Sequence, residues 1–393
     1  MNIPIENVVM LIGAAQGALI GLIIVQKHSA LYANRFLALM MFAISAVLVH
    51  MVLDDLGMYH ALGVLFPMLL ALSLAVTPLH FLYAKFLTNR SLRFRLRDAI
   101  HFIPYGLFLV IGVAVLSDTA AGRNVFLEHT PVEQYPVLFF VFNWALIAQG
   151  MSYVVVILYR IHTYDNEIKK VYSSIENRQL RWLRNITLLA ATAWCSFAIE
   201  QTFLSFHINL SNFMISSILL ALYVFTLGYL GMLKVEVLAS ASTDMEIALT
   251  EAAEEPIAAD PSKYEKSGLT AEAAAQYKDM ILRVMEEEKL YRQSDLTLSQ
   301  LAASIHVSPH NLSEVINMKL GKTFYDLVNE YRIAEVKEAL LDPSKRHLKI
   351  LALAYEAGFN SKASFNTIFK QLTHATPSEF RKNAPGNLDS PEA

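Results

Sequence analysis

The sequence predicts an all-α chain: a seven-helix transmembrane bundle followed by a cytoplasmic seven-helix domain with two helix-turn-helix units. Three observations lead there. Of the 393 residues, 54% are hydrophobic and 17% charged, against roughly 45–50% and about 25% in average soluble proteins. Seven apolar runs in the first 233 residues each approach the roughly 20 residues an α-helix needs to cross a hydrocarbon core. Near the carboxyl end, one pattern of two short helices and a tight turn occurs twice, about fifty residues apart.

The apolar runs lie near 7–25, 36–53, 61–84, 99–116, 136–158, 186–205 and 212–233. Lys and Arg set their orientation, because basic loops stay on the cytoplasmic side. Lys27 and Arg35 follow the first run; Lys85, Arg90, Arg93, Arg95 and Arg97 follow the third; Arg160, Lys169, Lys170, Arg178, Arg181 and Arg184 follow the fifth. The alternate loops hold only Arg123. This alternation predicts a multi-pass protein of the inner (cytoplasmic) membrane, with its amino terminus outside and everything after Leu233 in the cytoplasm. A soluble helical core has no reason to alternate its charge in this way. Glu6 is the only charge before the first run and no small-residue cleavage site follows it, so no removable signal peptide is expected. Cys195, the single cysteine, excludes an intrachain disulfide framework and a Cys-rich zinc site.

Within the first run, Gly13, Gly17 and Gly21 recur every fourth residue and leave one stripe without side chains. Such a stripe serves packing inside a bundle or pairing between two copies. Polar residues at membrane depth are expensive without partners. Glu200 and Gln201 are therefore the candidates for a signal site, with a structural polar contact as the other reading; His50, His80, His101, Asn143 and Gln149 are weaker candidates. No metal-ligand spacing, paired-carboxylate cluster or Gly-rich phosphate loop occurs, so no catalytic residue, metal or cofactor is assigned.

Net charge is +3 over residues 1–233, −8 over 234–288, +4 over 289–384 and −2 over the last nine residues. The Ala/Glu-rich stretch 239–268, interrupted by Pro256 and Pro261, predicts a flexible tether. A helix is expected from Thr270 through an apolar stripe of Tyr277, Ile281, Val284 and Met285. Thr297 and Gln300 fit a capping box that starts a short helix ending near His306. Ser308 and Pro309 supply the N-cap and first position of the next. There Leu312, Val315 and Ile316 share one face, and His310, Ser313, Glu314 and Asn317 share the opposite one. An inward apolar triplet and an outward hydrogen-bonding face suit a helix lying in a DNA major groove.

The pattern then recurs. Leu301-Ala302 corresponds to Leu353-Ala354 at an offset of 52, while Ser308, Leu312, Val315 and Ile316 correspond to Ser361, Phe365, Ile368 and Phe369 at 53, so the second turn holds one extra residue. That turn contains Gly358, which can take a positive φ at little cost. Ser361 caps the following helix, whose outward residues are Lys362, Ala363, Asn366, Thr367 and Lys370. The stretch 324–341 predicts one amphipathic helix holding the two units at fixed spacing.

Residues from about 270 to 384 resemble the AraC/XylS-type DNA-binding domain of bacterial transcription regulators. The resemblance is carried by Leu298-Ser299-Gln300-Leu301-Ala302, Ser308, Leu312-Ser313, Gly321-Lys322-Thr323-Phe324 and Tyr331-Arg332-Ile333. It continues through Ala354-Tyr355-Glu356-Ala357-Gly358-Phe359-Asn360-Ser361, the run Phe365 to Lys370, and Thr376-Pro377-Ser378-Glu379-Phe380-Arg381. The resemblance implies a seven-helix module whose two recognition helices enter adjacent major-groove segments of promoter DNA. It makes His310, Ser313, Glu314 and Asn317 the base-facing candidates of the first unit and Lys362, Ala363, Asn366 and Thr367 those of the second, with Asn311 and Ser364 as further DNA-binding candidates. Phosphate contacts are expected from Ser308, Lys319, Lys322, Ser361 and Lys370. Glu314 and Thr367 stand where the family often has arginine, and His374 where it usually has glycine. Pro78 to Tyr83, His101 to Pro104 and Leu180 to Arg184 are similar to segments of the seven-helix membrane region attached to some such regulators.

The expectation is thus a membrane-anchored, DNA-binding transcriptional regulator controlled by a signal sensed in the bundle. Its parts are a sensor region (1–233), an acidic linker (234–268), the DNA-binding domain (269–384) and a disordered tail (385–393). Its expected partners are double-stranded promoter DNA, the lipid bilayer, a second copy of the chain, an unknown small-molecule or membrane signal, and RNA polymerase. The alternative is a membrane enzyme or transporter with a regulatory cytoplasmic domain; a variant of the first reading frees the DNA-binding domain by proteolysis in the linker.

Overall fold

The computed structural model describes residues 4–26, 32–58, 65–89, 91–120, 136–176, 178–206, 215–231 and 269–383. The expected linker and tail, and Arg123, lie outside them. The described residues are helical, with one isolated β-bridge between Tyr172 and Thr297. The chain forms two units: residues 1–164 with 180–239, and residues 165–179 with 240–393.

The first unit holds α1 (Ile5–Gln26), α2 (Ala33–Asp55), α3 (Leu65–Thr88), α4 (Ile103–Ala120), most of α5 (Pro136–Val171), α6 (Arg181–Ser205) and α7 (Ile215–Gly231). Where it is described, each apolar run foreseen in the sequence is helical. Among the described residues, α1, α2, α3, the stretch Leu96–Ala114 and α5 are long and apolar enough to cross a membrane. The other two are not among them: the described part of α7 spans 17 residues, and the apolar stretch of α6 is interrupted by Glu200 and Gln201. Helix α5 continues well past its apolar run because residues 159–171 contain neither Gly nor Pro to stop it.

The glycine stripe of α1 packs inside the unit. A Cβ at Gly17 would collide with the Ser45 hydroxyl of α2, and one at Gly21 would lie 2.9 Å from the Phe42 ring. Close approach of the two backbones is what the missing side chains permit. The core that results includes Leu37, Met41, Ile44 and Leu48 of α2, Leu82 and Tyr83 of α3, and Val224 and Leu227 of α7.

The second unit contains α8 (Ala271–Arg283), α9 (Leu298–Ser304), α10 (Pro309–Leu320), α11 (Phe324–Leu341), α12 (Ile350–Glu356), α13 (Lys362–Thr373) and α14 (Pro377–Lys382). It has two hydrophobic centres. Leu301, Leu312, Val315 and Ile316 gather in the first with Phe324, Leu327 and Val328. Leu353, Phe365, Ile368 and Phe369 gather in the second with Ile333, Val336 and Leu340. Helix α11 therefore gives its first half to one centre and its second half to the other. It is the spine that the sequence reading expected.

Candidate nucleic-acid interface

Each helix of the two pairs starts and stops where local chemistry requires. Thr297 Oγ1 accepts from Gln300 N while Gln300 Oε1 accepts from Thr297 N, so two orphan donors at the start of α9 are satisfied. Ser308 Oγ accepts from Asn311 N at 3.2 Å, with Pro309 opening α10. Ser361 Oγ does the same for Ser364 N at the start of α13. Gly321 and His374 end α10 and α13 in the left-handed region, at φ 64° and 59°.

The two turns are copies of each other in backbone as well as in sequence. His306 has φ 58° and Gly358, its counterpart 52 residues on, has φ 97°. Val307 N donates to Ala302 O, and Phe359 N donates to Ala354 O, both at 3.0 Å. The turns diverge only after this point, where the second has its extra residue. Gly358 is also held by crowding: a Cβ there would lie 2.6 Å from Tyr291 O and 2.7 Å from Arg292 O.

Leu312, Val315 and Ile316 are buried, as are Phe365, Ile368 and Phe369. On α10, His310, Asn317 and Lys319 are exposed, while Asn311, Ser313 and Glu314 are half-buried. Asn317 Nδ2 donates to Ser313 O. On α13, Lys362, Ala363, Asn366, Thr367 and Lys370 are exposed, and Thr367 Oγ1 donates to Ala363 O at 2.8 Å. Two residues are placed otherwise than expected. Ser364 is buried at 9% exposure, because it stands one turn before Ile368 and shares its inward face. Lys322 is engaged by the Glu330 carboxylate, so a phosphate there would have to displace that partner.

The sequence reading missed what ties the two pairs together. Arg332 on α11 is 1% exposed and lies between the two hydrophobic centres. Its Nε donates to Tyr291 O at 2.8 Å, and its Nη2 donates to Gln293 O at 2.7 Å and to Ser173 Oγ at 3.2 Å. Burial lowers its pKa to about 10, partly countered by the fields of Glu176 and Asp295, so it stays charged at neutral pH. The spacing Val328, Arg332, Val336 puts an arginine in the apolar stripe of α11, which is the signal that could have revealed it.

Ser173 belongs to a short strap, residues 172–176, that directly follows α5 in the chain and is part of the second unit. Tyr172, Ser173, Ser174 and Ile175 are all buried. Ser173 N donates to Leu296 O just before α9, Ser173 O accepts from Asn329 Nδ2 of α11, and Ser174 Oγ accepts from Asn360 Nδ2 at 2.8 Å, just before α13. The strap thus touches both helix pairs and the spine. Asn360 lies in the stretch that makes the second turn one residue longer than the first.

In the first unit, the proposed signal pair is occupied by protein partners. Glu200 Oε1 accepts from Ser216 N at 3.0 Å and Oε2 from Ser216 Oγ at 2.5 Å, joining α6 to the start of α7. Gln201 Oε1 accepts from Asn143 Nδ2 of α5 at 3.0 Å.

Comparison with known proteins bears on the second unit. Residues 301–383 match the family model described as a helix-turn-helix domain, HTH_18. An uncharacterised HTH-type transcriptional regulator of Staphylococcus aureus (strain COL) is 31% identical over 115 residues, covering 29% of this chain and 15% of that protein. Another such regulator, from Pseudoalteromonas carrageenovora, is 31% identical over 103 residues, covering 25% of this chain and 59% of that protein. The chain thus spans less than two thirds of the length of either relative. Among solved structures, the C-terminal domain of AraT, a response regulator from Geobacillus stearothermophilus, is 28% identical, covering 32% of this chain and 97% of that one, with a TM-score of 0.25. The carboxyl-terminal part of this chain carries an AraC-type helix-turn-helix domain.

Proposed function

We propose that this chain is a membrane-anchored transcriptional regulator that binds promoter DNA sequence-specifically through two helix-turn-helix units, α9–α10 and α12–α13. The observation that carries the reading is the pair of matching turns set on one spine, each presenting an exposed polar face on its second helix. Asn317, Asn366 and Lys362 are suited to base edges, and Lys319 and Lys370 to phosphates. Glu314 supports acceptance from a cytosine amino group rather than guanine readout. Anchoring is supported by the long apolar helices and the one-sided distribution of basic residues.

Control by a signal is supported by the strap. A segment continuous with α5 is hydrogen-bonded just before α9, just before α13 and to the spine, so a shift of α5 can reach both helix pairs through it. A signal acts here only through unequal affinity for the two arrangements.

The test is selection of binding sites from random duplexes by the full-length chain in nanodiscs, with footprinting at stated salt. The expected result is a motif of two segments about one helical turn apart. Binding that is weak, salt-sensitive and indifferent to sequence at every salt would overturn the reading.

A further inference from the structure

The first unit has a partly open cavity of about 350 Å³ between α2, α3, α5, α6 and α7. Small-molecule sites run from roughly 300 to 1,000 Å³ and are mostly apolar with a few placed polar groups. Phe142, Leu146, Trp194 and Phe197 form its apolar wall. Three lining side chains differ from that wall. His50, Thr77 and His80 are 5%, 7% and 3% exposed, and His50 Nδ1, Thr77 Oγ1 and His80 Nε2 have no hydrogen-bond partner in the protein.

These atoms are unpaired although the groups around them are paired. Tyr223 Oη sits 3.1 Å from His80 Nδ1, which fixes the ring and leaves Nε2 over. Asn143 and Ser216, also on the wall, are held by Gln201 and Glu200. Buried polar atoms ordinarily find partners, and here three residues that carry unpaired ones, from α2 and α3, are among those lining the same space.

We propose that this cavity binds an uncharged small amphiphile, with an apolar body against Trp194 and Phe142 and a hydroxyl or carbonyl oxygen against His80 and Thr77. Charge decides the class. No lysine or arginine is among the described lining residues, and the one carboxylate, Asp54, is exposed at the helix end. An anionic head would therefore find no cation inside and a repelling group at the edge. The site differs from the pair Glu200 and Gln201 singled out in the sequence; those residues brace it from behind. That the ligand is the signal rests on the regulatory reading above, whereas its binding does not.

The probe is a decanol carrying an aliphatic diazirine, applied to the full-length chain in phosphatidylcholine nanodiscs without DNA, with labelled peptides mapped by mass spectrometry. Saturable labelling of cavity residues such as Met51 and Tyr153, competed by unlabelled decanol and not by decanoate, is expected. Ala193→Trp, which fills the space, should abolish it. His80→Leu should weaken competition about threefold to tenfold, the worth of one neutral hydrogen bond, and supplies the answer if Ala193→Trp does not fold. Unsaturable labelling, labelling confined to outward side chains such as Leu19 and Val156, or equal competition by decanoate would overturn the proposal. Because no DNA is present, a failure here leaves promoter binding untouched, and a failed site selection leaves this result standing.

Discussion

His306 and Gly358 occupy the same place in the two turns and both take positive φ, yet they tolerate opposite substitutions. A non-glycine residue in the left-handed region costs roughly 1–2 kcal/mol. His306→Gly and His374→Gly should therefore each stabilise the second unit by about 1 kcal/mol, once glycine's greater unfolded-state freedom is counted. Gly358→Ala should destabilise it by about 3 kcal/mol or more, because strain adds to a collision with the carbonyls of Tyr291 and Arg292. Urea midpoints for residues 269–383, followed by hydrogen exchange in the full chain, check both signs. The glycine was readable from the repeat itself. That His306 adopts the same backbone was not, since side-chain identity argues against it, whereas His374 was marked by standing where the resembled family usually has glycine.

At the scale of elements, the caps and strap make separate predictions. Glu379 accepts from both Thr376 N and Thr376 Oγ1, which together hold its carboxyl below the ordinary range. Burial raises the Glu335 carboxyl, but hydrogen bonds from Arg292 and Tyr291 bring it below that range overall. A carboxyl lowered by folding adds stability above its unfolded pKa and loses it as pH falls through the folded value. The second unit should thus weaken below about pH 4, and Glu379→Gln should lose less between pH 7 and pH 3 than the native chain, as urea midpoints at the two values would show.

The strap hangs on Arg332, whose planar fork reaches four backbone carbonyls and a hydroxyl that a lysine cannot span together. Arg332→Lys should cost about 3 kcal/mol and speed amide exchange at residues 172–174, with α9 and α13 exchanging as before. If exchange there stays slow, Arg332 is not what fastens the strap. The helices and their caps were legible because they depend on neighbours within a few residues. The strap was not, since its bonds join residues more than 120 positions apart, and no local pattern marks Tyr172-Ser173-Ser174.

For the whole molecule, the prediction concerns where the second unit is found. On the proposed reading, thirteen basic residues on one set of loops against one on the other lead us to expect anchoring with the carboxyl-terminal domain inside the cell. In cell fractionation with an antibody to residues 269–383, the full-length chain should stay with membranes after a carbonate wash. A soluble fragment that accumulates on stimulation would replace tethered control with release by proteolysis.

What the sequence by itself determined is the all-α class, where α1 to α7 lie though not how far α5 runs, and the repeat that makes the second unit two matching pairs. All three follow from periodicity, caps and charge, which act over a few residues or along a loop. Tertiary structure alone decided two other matters: that Glu200 and Gln201 are already partnered, and that a cavity lined by residues with unpaired atoms, His50 Nδ1, Thr77 Oγ1 and His80 Nε2, opens beside them. Each depends on which distant side chain fills the space opposite, and the linear order of residues does not specify that until the helices have packed.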